Sequence, residues 1–266
     1  MKFPRSTYYK ALVKTPSKRE IERENFKAEI KKIWKESNLI YGAPKIHRKL
    51  LDAGKKISLK RVQRYMTLLE IKSIVIKKFR HHSPKNVIEE KENILNRDFS
   101  TTGINQKWCG DITYIHTKKH GWTYLASIMD LHSKKIIGYA YDTSMTSDLA
   151  IKSLENACLS VKNTQEIIFH SDLGTQYTSH LFEKSLSLKG IIHSFSRKGN
   201  PYDNACIESF HSILKKEEVN RQKYYDFNSA AKAIFKYIES WYNRKRIHGS
   251  INYMTPQAMH DLNLVS

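Results

Sequence analysis

The sequence predicts a mixed α/β sheet flanked by helices, preceded by a smaller, all-helical module. Three observations carry this expectation. Strand-like runs between Asp111 and Tyr141 are joined by short turns. Helical and strand-like runs then alternate to Phe195 and beyond, and upstream of all of them residues 25–69 repeat apolar side chains at helical spacing. Strands that follow one another and then alternate with helices call for a sheet with antiparallel and parallel neighbours.

Residues 1–24 are basic and lack apolar periodicity, so they read as an arm or a partly helical lead-in. From Asn25 the pattern turns helical, with Phe26, Ile30, Ile33 and Trp34 on one face of a 3.6-residue period. Tyr41-Gly42-Ala43 breaks it, and Pro44 suits the first turn of a second helix. Ile46, Leu50 and Leu51 give that helix an apolar side and Gly54 stops it. Ser58 reads as the N-cap of a third helix that buries Leu59, Val62, Met66 and Leu69 and turns Lys60, Arg61, Gln63 and Arg64 outward. Two short helices around a tight turn have the form of a helix-turn-helix, and Arg and Gln are able to read guanine and adenine edges. An ordinary helical hairpin with a solvated basic face would look the same. Residues 81–104 read as a polar linker in which His81 and His82 lack a Cys partner at zinc-finger spacing.

Charge tips the balance between these alternatives, although by itself it would suit an anionic membrane surface as well as nucleic acid. The 266 residues carry a formal charge of +20, and residues 1–100 alone hold 26 basic and 11 acidic side chains. A cationic N-terminal part joined to a nearly balanced remainder suits a nucleic-acid-gripping module attached to something else. No run approaches the roughly 20 apolar residues of a spanning helix, and Met1 to Lys10 contain no apolar signal core. Cys109, Cys158 and Cys206 lie far apart, which suits reduced, mostly buried thiols in a cytoplasmic protein.

In the second part, Asp111–Thr117, Trp122–Met129 and Lys135–Tyr141 read as strands joined at His120-Gly121 and His132-Ser133. Ser147–Leu159 reads as a helix, Ile167–Phe169 as a buried strand, His180–Lys189 as a helix and Ile191–Phe195 as a strand. A last helix begins near Asp203.

Three acids stand where solvation does not explain them. Asp111 opens an apolar strand, Asp172 follows a buried one, and Glu208 lies in the last helix. Each has a bland alternative: a strand-end cap, a turn residue beside Gly174, a solvated helix position. Taken together they can converge at one edge of a sheet. Two carboxylates about 4 Å apart repel by about 4 kcal/mol at an effective dielectric near 20, a penalty that a divalent cation removes. Carboxylates with positions left for water and phosphate oxygens suit Mg²⁺, and two such ions serve phosphodiester chemistry.

The motifs around these acids are familiar. Trp108-Cys109-Gly110-Asp111-Ile112-Thr113-Tyr114, His170-Ser171-Asp172-Leu173-Gly174-Thr175-Gln176-Tyr177 and Gly199 to Phe210 resemble the DDE transposases of bacterial insertion sequences. The likeness is to the second-frame (OrfB) product of the group built from two overlapping frames, and more distantly to the retroviral integrase core. Between Asp172 and Glu208 lie 35 residues, the spacing of that family's D,D-35-E signature. Tyr41 to Ile46 resembles its helix-turn-helix region, and Tyr242 to His248 with Thr255-Pro256 resembles its C-terminal tail.

The resemblance implies an RNase H-like fold and a polynucleotidyl transferase. Asp111, Asp172 and Glu208 would be catalytic and hold two Mg²⁺ or Mn²⁺ ions. Lys215, on the Glu208 face of its helix, would contact terminal DNA, as would Lys60, Arg61, Gln63, Arg64, Arg244, Lys245 and Arg246. Asp203 and Asn204 would cap the helix and set its angle, and His170 would orient the Asp172 turn. The implied partners are double-stranded DNA (terminal inverted repeats and target) and further copies of the chain, with an upstream-frame protein or fusion as another. The implied place is the bacterial cytoplasm, on the nucleoid when DNA-bound. The expected division is an arm at 1–24, a helix-turn-helix domain at 25–80, a linker at 81–104, a catalytic core at 105–222 and a helical basic tail at 223–266. No heptad zipper and no His₂Cys₂ zinc motif is visible. A structure-specific nuclease of the same class would share the acids, and a non-catalytic DNA-binding regulator would need only the basic N-terminal part.

Overall fold

A computed structural model of the chain describes residues 16–74, 92–197 and 200–264. The chain divides after Val75 into two compact units.

The first unit contains α1 (Lys18–Glu36), α2 (Ala43–Asp52) and α3 (Leu59–Leu68). Helix α1 starts earlier than the apolar period suggests. The Ser17 hydroxyl accepts the Glu20 N–H while the Glu20 carboxylate accepts the Ser17 N–H, a capping box that satisfies two otherwise orphaned donors. The last residues of the expected arm are therefore helical, and Met1 to Thr15 lie outside the described residues. Gly54, at φ +75°, ends the second helix as expected, with the Lys55 N–H reaching back to the Leu50 carbonyl. Phe26, Ile30, Ile46, Leu50, Val62, Tyr65 and Met66 fill the core between the helices. Tyr65 takes the place expected of Leu59, which is exposed together with Leu51.

The second unit is built on a five-stranded sheet: β1 (Lys107–Thr117), β2 (Gly121–Asp130), β3 (Ile136–Asp142), β4 (Ile168–Ser171) and β5 (Ile192–Phe195). Their order is β3-β2-β1-β4-β5. The β1–β2 and β2–β3 pairs are antiparallel, whereas β1–β4 and β4–β5 are parallel. Helix α4 (Ser147–Cys158) precedes β4, α5 (His180–Leu188) connects β4 to β5, and α6 (Ala205–Glu217) follows a 3₁₀ turn at Pro201–Asn204. Trp108, Ile128 and Phe169 from the sheet pack with Ala150, Leu154 and Ala157 of α4 and Phe182 and Leu186 of α5.

Two expected boundaries shift. Asp111 does not open its strand, because β1 already starts at Lys107 and pairs with β4 through Cys109↔His170. Gly110 permits this: a Cβ there would stand 2.4 Å from the Phe169 ring. Residues 92–104 are also more than a polar linker. Leu95 is buried, its N–H donates to the Ser194 hydroxyl, and the Phe195 N–H donates to the Glu92 carbonyl. His81 and His82 lie outside the described residues.

Residues 223–264 likewise pack into this unit instead of trailing from it. Helix α7 (Phe227–Phe235) runs into a π-helical stretch at Lys236–Tyr242, and α8 (Pro256–Leu262) follows. The Asn243 amide donates to the Ile136 carbonyl and accepts the Ile136 N–H, fastening this segment to β3. The three cysteines are free thiols, Cys109 buried and Cys158 and Cys206 half-buried. Among the described residues no helix is long and apolar enough to cross a membrane.

Candidate active site

The parallel register explains how two of the acids meet. Cys109 on β1 is level with His170 on β4, so Asp111 and Asp172, each two residues further on, lie beyond the same end of the parallel pairing. Strand β4 ends at Ser171 while β1 continues, and Asp172 thus leaves the sheet beside the strand that carries Asp111. In the turn that follows, the Asp172 carboxylate accepts the Gly174 N–H at 3.0 Å. Glu208 comes from the first turn of α6, which packs against β1 and β2. The positive end of a helix favours a carboxylate there.

Asp172 is open to solvent at its rim, yet its acid behaves as a crowded one. Surrounding protein, the Asp111 charge and then the Glu208 charge push it up to about 6 against the pull of the Gly174 N–H. Asp111, Asp172 and Glu208 therefore share one electrostatic neighbourhood. Among the described residues, no three His, Cys, Asp or Glu side chains close into a ready-made metal cage.

Asp111 is held by a residue to which its sequence position gave no role. His211, buried on α6 one turn after Glu208, has Nδ1 3.2 Å from Asp111 Oδ2 and Nε2 2.6 Å from Ser127 Oγ. Ser127 lies directly opposite Asp111 in the β1–β2 ladder. A carboxylate accepts, so Nδ1–H donates to Asp111, while Nε2 is hydrogen-bonded to the Ser127 hydroxyl on the other side of the ring. The signal for His211 in the sequence was its i+3 spacing from Glu208, which puts both on one helix face. Ser127 carried no local signal.

His170, expected to orient the Asp172 turn, makes its side-chain hydrogen bonds to the neighbouring segment at Ser194 and Ser196. The two hydroxyls lie 2.9 Å from Nδ1 and 3.0 Å from Nε2, and burial pulls its pKa down to about 4. Asp203 and Asn204 do not cap α6 with their side chains. Asp203 is instead fully buried, and Arg97 and Arg197 donate to it at 2.6 and 3.0 Å. It fixes the approach to α6 by anchoring the turn to both arginines.

The basic residues divide. Lys60, Gln63 and Arg64 are exposed on α3, whereas Arg61 donates to the Tyr65 hydroxyl at 2.8 Å and pairs with Glu22 at 3.2 Å. Lys215 is half-buried, its ammonium 4.2 Å from the centre of the Tyr114 ring and within reach of the Asp111 charge. Arg244 and Lys245 are exposed. Arg246 is not the surface DNA contact expected of it. It is 8% exposed, and its guanidinium grips both Glu217 oxygens at 2.9 and 3.0 Å. The same carboxylate also accepts from the Tyr237 hydroxyl and the Trp241 indole, leaving Arg246 a structural pin.

Residues 102–201 match the family described as Integrase core domain, residues 189–256 match a second family of that description, and residues 20–79 match the HTH-like domain. The chain is 37% identical over 249 residues to the transposase for insertion sequence element IS904 of Lactococcus lactis subsp. lactis (strain IL1403), across 93% of this chain and 98% of that protein. It is 35% identical over 225 residues to transposase InsF for insertion sequence IS3A of Escherichia coli (strain K12), across 84% and 78% respectively. Among solved structures, the HTLV-2 integrase catalytic core domain in complex with magnesium aligns with 60% of this chain and 99% of its own, at 18% identity and a TM-score of 0.47.

Proposed function

Because the chain belongs to the insertion-sequence transposases that join an HTH-like domain to an integrase core, we propose that it cuts DNA at the ends of its element and transfers the freed strand to a second phosphodiester. The observation that carries this reading is geometric: the parallel β1–β4 pair brings Asp111 and Asp172 to one end of the sheet, and the helix that presents Glu208 packs on β1 and is tied to Asp111 through His211. Three carboxylates crowded in this way repel an incoming phosphodiester unless cations accompany it.

The donor set is all oxygen, the chemistry that hard divalent ions take. Asp111, Asp172 and Glu208 would hold Mg²⁺ or Mn²⁺, two ions per site, which supply charge neutralisation for attacking and leaving oxygens. In the first reaction a water oxygen attacks phosphorus at the element end and gives up a proton, the P–O3′ bond breaks, and the departing oxygen takes up a proton to leave as a 3′-OH. In the second, that 3′-OH loses its proton and attacks a target phosphorus, and the target strand leaves with a new 3′-OH. Lys215 would meet the scissile strand's phosphates, and His211 would keep Asp111 turned towards them.

Lys60, Gln63 and Arg64 would engage the terminal repeats, and Arg244 and Lys245 further backbone phosphate. Two element ends must be held together, so the working form would be a dimer or larger assembly on DNA, in the bacterial cytoplasm. An upstream-frame segment would add to end recognition.

The test is a duplex carrying the element's terminal repeat, incubated with Mg²⁺ or Mn²⁺ and scored for nicked and branched products. Asp111→Asn, Asp172→Asn and Glu208→Gln should each abolish both products while leaving DNA binding within a few-fold of wild type. Near-normal joining by any of the three variants removes that residue from the site.

A further inference from the structure

The β1–β2 hairpin carries a surface that the acids and the helix-turn-helix do not use. Beyond Cys109, β1 outruns β4, and Tyr114 and His116 project from it on one face. Trp122 lies opposite His116 in the ladder and diagonal to Tyr114. Its ring meets Tyr114 at 5.2 Å and His116 at 5.0 Å, both nearly perpendicular. Tyr114 and Trp122 nevertheless stay 50% and 54% exposed.

Charge accompanies the rings. Lys215 stands over Tyr114, Lys118 and Lys119 are exposed at the hairpin turn, and no acidic residue occurs from Ile112 to Ser127. The hairpin has no evident need of exposed aromatics for its register, since the ladder runs unbroken from Trp108↔Asp130 to Thr117↔Gly121 in the middle of the sheet. Aromatic faces beside cationic side chains are how proteins hold unpaired nucleotides, because every base has a π-face and every link a negative charge. Tyr114 lies three residues from Asp111 along β1. The alternation of a strand turns their side chains to opposite faces, and Lys215 links the two: its ammonium stands over the Tyr114 ring and interacts with the Asp111 charge.

We propose that Tyr114, His116 and Trp122, with Lys215 beside them, form a stacking platform for an unpaired base of the DNA strand end held at the Asp111 site. The platform deepens the strand-cutting reading and rests on it. Its ligand is a frayed or single-stranded nucleotide next to the cut, not the duplex that the N-terminal helices would grip.

The experiment compares the full chain, in metal-free buffer, on a blunt duplex and on the same duplex with a short single-stranded extension, by fluorescence anisotropy. The extension should tighten binding, and Trp122→Ala and Tyr114→Ala should each remove between about five-fold and about a hundred-fold of that gain. Blunt-duplex affinity should stay unchanged, and Trp122→Phe, which keeps a ring, should retain most of the gain. Thermal melting checks that each variant is folded, and the Phe variant decides the matter if the Ala variants are not. No gain from the extension in the wild type, equal losses on both DNAs, or a folded Phe variant that binds like an unstacked one would each overturn the platform. With Mg²⁺-dependent cutting intact, such a result sinks the platform alone; absence of cutting by the wild type sinks the reading beneath it as well.

Discussion

His211 and Asp111, one hundred positions apart in the chain, are joined by a hydrogen bond of 3.2 Å that links the Glu208 helix to the first strand. The Ser127 hydroxyl behind His211 fixes the ring, so the carboxylate of Asp111 is held in orientation from its far side. Partners of this kind typically contribute 10–100-fold to the metal affinity or activity of a site (about one to two powers of ten). His211→Ala should therefore raise the Mg²⁺ concentration needed for half-maximal nicking by roughly ten-fold or more, with DNA affinity unchanged. Ser127→Ala should move it in the same direction by less. A titration in which His211→Ala overlays the wild type would reduce this bond to packing.

Asp203 gives the site a dependence on acid. Burial by itself favours its protonated form, but hydrogen bonds from Arg197 and Arg97 outweigh that and hold the acid well below the usual carboxylate range. The unfolded chain thus takes up this proton first as pH falls. The stability due to Asp203 is complete above its ordinary value near 4 and drains away below it. Asp203→Asn should cost on the order of 2 kcal/mol at neutral pH, the scale of a hydrogen bond to a charged group. The gap from wild type in urea melts should narrow progressively below about pH 4. A gap that is constant from neutral pH to well below that point would show that the carboxylate charge contributes nothing.

The acids were legible because each sits in a short run whose neighbours belong to the same turn or helix: Asp172 before Gly174, Glu208 one turn into α6. What was not legible depends on partners far away in the chain. The start of β1 was missed because Gly110 makes sense only against the Phe169 ring of another strand. Arg244-Lys245-Arg246 reads as a uniform basic patch, yet Arg246 turns inward to Glu217, 29 residues back. Composition cannot reveal that, since the pairing is set by the π-helical stretch and the Asn243 anchor on β3. Residues 92–104 looked like linker because their polar side chains carry no period, whereas Leu95 and Arg97 are fixed by Ser194 and Asp203.

The third helix of the first unit makes a sharper prediction than its charge alone. Lys60, Gln63 and Arg64 face solvent, but Arg61 already commits two N–H donors to Tyr65 and Glu22 and lies over the Phe26 ring at 5.2 Å. Moving Arg61 to a phosphate or base would break those contacts, and its gain on DNA would be reduced by that loss. Arg64→Ala should weaken binding to terminal-repeat duplex more than Arg61→Ala does. If Arg64 meets a phosphate, its loss should lower the slope of log affinity against log salt by about 0.9, equally on any sequence. If it reads a base edge, the loss should be about 1–3 kcal/mol and confined to the cognate repeat. Arg61→Ala should instead lower the melting temperature, because the ring contacts and the Tyr65 bond go with it. Equal binding losses for both variants with no change in melting would place Arg61 on the DNA and reverse the order.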